Sequence, residues 1–176
     1  MTTGNAVATS NSVFIRPVLE SAIAKLLDSI DCQNIYTEDL PPLTSEAEFT
    51  ERLQVHKGLS QPELEAWFTN RSGFSVASSP IANSHQYSQV HGMMVSGIAF
   101  HSTFQRSYQY IQDKTDELVW ALEKNKNLLG DSTIKYRTNV STTFAFEQFG
   151  ETYLYRSNTS FEVHRLITET DGRSYS

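Results

Sequence analysis

The sequence predicts an α+β domain: a mixed, mainly antiparallel sheet with two main helices packed on it and a long C-terminal β-hairpin. Three observations carry this. Two stretches repeat apolar residues at three- and four-residue spacing, the stripe of a helix with one buried face. The segment from His91 to Phe104 is apolar on both strand faces, Met94, Ile98 and Phe100 on one and Met93, Val95 and Ala99 on the other, as in a central strand covered twice. The last third of the chain alternates with period two over two long runs.

Residues 1–12, rich in Thr, Asn, Ser and Gly, read as a flexible N-terminal arm, and residues 169–176 as a flexible C-terminal tail. Residues 13–168 between them form a single α+β domain with an acidic insertion at 39–73. Ser12 is a candidate N-cap for a first helix over Phe14–Ile30, whose face is Ile15, Leu19, Ile23, Leu26, Leu27 and Ile30. Pro17 fits only its first turn. Cys32 follows as a structural thiol, and Ile35-Tyr36 reads as a short strand before Pro41-Pro42.

From Glu38 to Glu65 the carboxylates Glu38, Asp39, Glu46, Glu48, Glu51, Glu63 and Glu65 stand against Arg52 and Lys57 alone. Two capping-box patterns, Ser45 with Glu48 and Ser60 with Glu63, predict two short helices here. The second has Pro62 in its first turn, an edge of Leu64, Trp67 and Phe68, and Gly73 as its end. Phe74–Ala77 reads as a strand and Ser78–Gln89 as an extended polar loop. A second long helix is expected over Ser107–Lys126, with Asp113, Asp116 and Glu117 before Lys124 and Lys126 in the order a helix dipole favours, ending at Gly130. Ile134, Tyr136, Thr138, Val140, Thr142, Phe144 and Phe146 then alternate. After the turn signal Phe149-Gly150-Glu151, Tyr153, Tyr155, Ser157, Thr159, Phe161, Val163, Arg165 and Ile167 alternate again. The expected order is α-β-(short helices)-β-β-α-β-β.

Composition narrows the function classes. Charged residues are 19% and hydrophobic residues 39% of the 176 residues, so uncharged polar residues supply the surface. The formal net charge of −6 opposes general nucleic-acid binding, which needs clustered Lys and Arg to release counterions. A single cysteine excludes an intrachain disulfide and a multi-cysteine metal site. No signal-peptide pattern or membrane span is visible, and the sequons at Asn70, Asn139 and Asn158 mean nothing without a secretory route.

No catalytic signature emerges. The chain has 8 glycines and neither a phosphate-binding Gly-x-x-x-x-Gly-Lys nor a Gly-x-Ser-x-Gly elbow. His56, His85, His91, His101 and His164 are scattered without ligand spacing, and Asp113, Asp116 and Glu117 read as solvated charge rather than a cation site. The expectation is no enzyme, no cofactor and no metal. Were the chain instead a small ligand-binding or enzymatic domain, a pocket would gather several of His85, His91, Asp113 and Asp116. The aromatics Tyr136, Phe144, Phe146, Tyr153, Tyr155 and Phe161 crowd onto the hairpin, and their expected use is cross-strand core packing rather than base stacking.

The hairpin's length is itself informative. A compact domain of this size spans roughly 40 Å. A strand of about thirteen to fifteen residues extends roughly 45–50 Å at about 3.3 Å per residue. Such strands either curl through bulges or expose unpaired backbone, which soluble monomers avoid. The expected resolution is a neighbouring subunit covering the edge.

The succession of an N-terminal amphipathic helix (Phe14–Ile30), an acidic insertion, a long strand (Gly92–Phe104), a helix (Ser107–Lys126) and a closing hairpin (Ile134–Ile167) resembles the tail terminator, or tail completion, proteins of long-tailed bacteriophages. Met94-x-x-x-Ile98-x-Phe100 followed by Tyr110-Ile111-x-x-x-x-x-Glu117-Leu118-x-x-x-Leu122 looks like that family's packed strand and helix, and Ser132–Leu166 like its hairpin. The resemblance spans about residues 13–168 and is one of pattern; the insertion at 39–73 is longer than the family norm, so another neck or baseplate adaptor is the alternative. It implies a non-enzymatic virion protein, assembled in the host cytoplasm: a homo-oligomeric ring, six copies, at the head-proximal end of the tail tube. Its implied partners are the tail tube protein, a head–tail connector or stopper protein and, as an optional contact, a sheath protein. DNA would pass through the lumen without specific binding, and no membrane is involved. Lys135, Arg137, Glu147 and Glu151 are the candidate subunit-interface or ring-stacking residues.

Overall fold

A helix–strand succession with two long antiparallel hairpins is what the computed structural model of the protein shows; it describes residues 15–37, 45–55, 62–78, 86–125, 134–150 and 152–168. The elements in chain order are α1 (Ile15–Ser29), β1 (Ile35–Tyr36), α2 (Glu46–Leu53), β2 (Leu64–Ser78), β3 (Gln86–Phe100), α3 (Phe104–Lys124), β4 (Ile134–Phe149) and β5 (Thr152–Thr168). They build one five-stranded sheet in the order β1-β2-β3-β5-β4. Only β1 runs parallel to its neighbour; every other pair is antiparallel. The fold is α+β, as the periodicities predict. The arm 1–12, the tail 169–176, Ser12, Pro41-Pro42, His85 and Gly130 lie outside the described residues.

α1 and α3 lie on one face of the sheet. Leu19, Ile23 and Leu27 of α1 and Ile111, Leu118 and Leu122 of α3 pack on Trp67, Met93, Val95, Ala99, Phe161 and Val163, with Cys32 buried among them. Each fully buried Leu or Ile of this layer contributes about 1.5–3 kcal/mol. The layer fixes one backbone choice: a Cβ on Gly97 would fall inside the Trp67 ring, so only glycine lets the indole lie flat across β3. On the opposite face, Phe49 and Leu53 of α2 cover Leu64, Ala66, Ile98 and Leu154. The second half of β3 is therefore covered twice, as its two apolar faces require.

Ser45 caps α2 as expected, its hydroxyl accepting from the Glu48 backbone N–H at 3.2 Å, while the Glu48 carboxylate pairs with Arg52 at 3.0 Å. The second expected helix is absent. Leu64, Trp67 and Phe68 lie in β2, and Gly73 marks a register shift between Arg71 and Gly73 rather than a helix end. Long-range pairing with β3 overrides the local helical spacing, and Leu64, Ala66 and Phe68 simply alternate on the α2 face. β3 begins at Gln86, so the residues taken as the end of a polar loop are strand. α3 begins at Phe104 with Thr103 as its N-cap and no acid in its first turn, so Asp113 and Asp116 lie too far along to complement the dipole.

The C-terminal hairpin is present, its turn holding Gly150 in the left-handed region at φ 61°. Its two strands differ in environment. β5 lies inside the sheet, hydrogen-bonded to β3 from Thr168 down to Tyr155. β4 is the terminal strand. A register shift between Arg137 and Ser141 bends it, so the hairpin carries the bulge that long strands use to curl, yet stays long.

Candidate functional site

Among the described residues, the outer edge of β4 pairs with no other strand. Ser141, Thr143, Phe144, Ala145 and Phe146 are exposed, including residues of both faces, because α3 packs mainly on β5 and β3 and touches β4 only lightly, while α2 lies on β2. An edge strand sixteen residues long offers a row of unpaired N–H and C=O groups, and natural edges are usually short or shielded.

At the hairpin end of this flank the aromatics gather. Phe104 at the start of α3 meets Tyr155 edge-on at 4.8 Å between centroids and Phe146 at 5.3 Å. Phe146 stacks on Tyr153 at 5.4 Å and 14°. Tyr108 meets Tyr155 at 5.2 Å. Phe104, Phe146, Tyr153 and Tyr155, with Phe100, Ser102, Thr103 and Ser107, line a groove of about 320 Å³. Phe104 is 60% exposed, Phe146 48% and Tyr153 47%, so the cluster is a surface and not a core. The expected cross-strand packing of the hairpin aromatics is thus half right: the rings do touch, but three of them leave large areas in water.

The helix that carries Phe104 and Tyr108 is anchored to the sheet by a buried polar junction. Glu65 is fully buried on β2; its carboxylate accepts from the Trp67 indole N–H at 2.7 Å and from the Tyr110 hydroxyl of α3 at 2.8 Å. Burial pushes the Glu65 carboxyl above the usual carboxylate range, against hydrogen bonds from Trp67, Tyr110 and the Gln33 backbone that favour the charged form. Lys114 of α3 donates to the Ile30 carbonyl at the end of α1 and pairs with Glu117 at 2.8 Å. Burial holds the Cys32 thiol far above its ordinary range, first by desolvation and then by Glu65, so it is an unreactive structural thiol.

Within one chain the described interface candidates lie apart along β4. Glu147, near the hairpin turn, pairs with Arg156 of its own chain at 2.9 Å. Lys135 and Arg137 lie at the far end of β4, opposite His164 and Glu162, roughly 25–35 Å away along the sheet. Glu151 lies outside the described residues. The groove is lined by none of His91, Asp113 or Asp116. His91 is buried in β3, where burial, Arg71 and Arg165 hold its pKa down to about 4, and Asp113 and Asp116 are exposed on α3. Among the described residues no group of three His, Cys, Asp or Glu side chains could hold a metal ion. No helix among them is long and apolar enough to cross a membrane. Sequence reasoning missed the surface role of Phe104, at the very start of α3; its place just after a long strand end was the one available signal.

No family model matches the chain. No curated protein matches it. Among solved structures, the chain is similar to one chain of the virion of a native gene transfer agent particle, at 13% identity and a TM-score of 0.44, over 89% of this chain and 100% of that one.

Proposed function

We propose that the protein is a structural virion component, not an enzyme, that assembles as a ring on the head-proximal end of a phage tail tube. There it ends tube polymerisation and offers the surface that joins the head connector. The observation that carries this reading is the open β4 flank. A long edge strand whose outer edge pairs with no strand among the described residues, and which exposes residues of both faces between Ser141 and Phe146, is a liability for a lone molecule and an attachment element for an assembly of identical copies. The order of elements, which resembles the tail terminator family, supplies the kind of assembly. The net charge of −6 suits a lumen through which DNA slides without being trapped.

Multi-angle light scattering or native mass spectrometry tests it. The expected species has a mass near six times the 19.9 kDa chain, formed alone or on contact with tail tubes, and its addition halts tube growth. A chain that stays monomeric at high concentration and neither binds tube ends nor stops their growth overturns the reading.

A further inference from the structure

In a ring, the β4 flank must meet some part of the next copy, and the sheet topology limits which. β2 and β5 run one way, β3 and β4 the other, and β1 runs with β2. A copy rotated about an axis along the strands therefore presents its β1 flank to β4 in the antiparallel sense. β1 is the terminal strand of that flank.

Height along the strands is fixed by the registers. Phe144 is level with Ser157, Ser157 with Gly97, Gly97 with Trp67, and Trp67 with Ile35. Residues paired in this way share a sheet face, and Ile35 packs against the helix-covered core as a half-buried side chain. With no stagger between copies, the half-buried Ile35 of one stands opposite the exposed Phe144 and Phe146 of the other, on the same face.

We infer that the β4 flank at the rim of the aromatic groove is a socket for the β1 flank of the next copy, residues Asn34 to Thr37, with Ile35 seated against Phe144 and beside Phe146, which also lines the groove. The inference rests on the ring reading and names the partner surface that the ring would use. The occupant is a second copy because the open strand and the groove are continuous: Phe146 belongs to both. The geometry also supplies a strand of opposite direction at the level where β4 exposes residues of both its faces.

Disulfide trapping of the full-length chain tests it. Directly opposed residues of an antiparallel pair hold their Cβ atoms about 4.5–5.5 Å apart, near enough for oxidation to capture with slight movement. The Ile35→Cys/Phe144→Cys double variant is expected to give a ladder of covalent multimers under mild oxidation, with Cys32 silent because its thiol is buried. A covalent dimer from Phe144→Cys alone means that two β4 strands pair about a two-fold axis, and overturns the inference. So does a double variant that assembles to the full mass without cross-linking. Because Ile35→Cys trims a packed residue, Phe146→Ser is the second arm; its ring is half exposed, so the fold should tolerate the change. Self-association is expected to weaken about tenfold or more, as for the loss of an aromatic anchor. Unchanged association, or loss of tube capping alone, assigns the groove to another protein and overturns the socket while leaving the ring. A wild-type chain that forms no ring under any condition removes both readings together.

Discussion

Glu65 shows how much one side chain can hold. It ties β2 to α3 through Tyr110 and fixes the Trp67 indole that lies across Gly97. Glu65→Ala leaves an indole N–H and a phenol O–H buried without an acceptor, and the expected loss is about 3 kcal/mol in urea denaturation. Glu65→Gln keeps an acceptor oxygen and should cost less. The two forms also differ in pH response. The folded-state pKa of Glu65 lies above its ordinary 4.5, so the folded protein holds the proton more tightly than the unfolded chain. Folding is penalised progressively as pH rises from about 4.5 through the folded value, and the penalty is complete above both. The difference in melting temperature between Glu65→Gln and wild type should therefore grow in the variant's favour across that window and then level off. A difference that stays flat with pH would show that the carboxyl is not desolvated as the structure implies.

At the scale of elements, β4 and β5 are the contrast that matters. β5 is bonded on both sides and β4 on one. In dilute protein the amides of β3 and β5 should exchange hydrogen slowly, while those β4 amides that point outward exchange orders of magnitude faster. Assembly should protect the β4 amides, most of all between Ser141 and Phe146; protection confined to the helices would place the contact elsewhere. Most of this layout was legible beforehand. The period-two runs marked β4 and β5 because one side chain in two faces the helices, and the face of α1 was visible in Leu19, Ile23 and Leu27. β2 was not legible, because Leu64, Trp67 and Phe68 also fit a helical turn and a capping box precedes them. The arbiter was pairing with β3, far along the chain. Glu65 was hidden for a related reason: a carboxylate in an acidic segment reads as solvated until Trp67 and Tyr110 converge on it. The aromatic groove joins α3 to the hairpin turn, a juxtaposition that no local window contains.

For the whole molecule, the question is whether the folded unit is the chain or the set of chains. Ligation that binds only the folded state raises stability by mass action. If copies complete one another, melting temperature should climb with protein concentration over the range in which the mass rises from 19.9 kDa to its multiple. Phe146→Ser should flatten that climb while lowering the melting temperature of the dilute protein only modestly, because its half-exposed ring packs on Phe104, Tyr153 and Tyr155. A melting temperature independent of concentration in the assembled range would indicate that association adds nothing to folding.

The long strands lie side by side, β3 matched to β5 from Gln86 to Ala99 without a break. A pull applied along their length loads all those rungs at once in shear, whereas a pull across them peels one rung at a time. The molecule is thus mechanically anisotropic, stiff along one axis and weak across it. Where it stands in an object under internal pressure, it should be mounted with that stiff axis along the line of force.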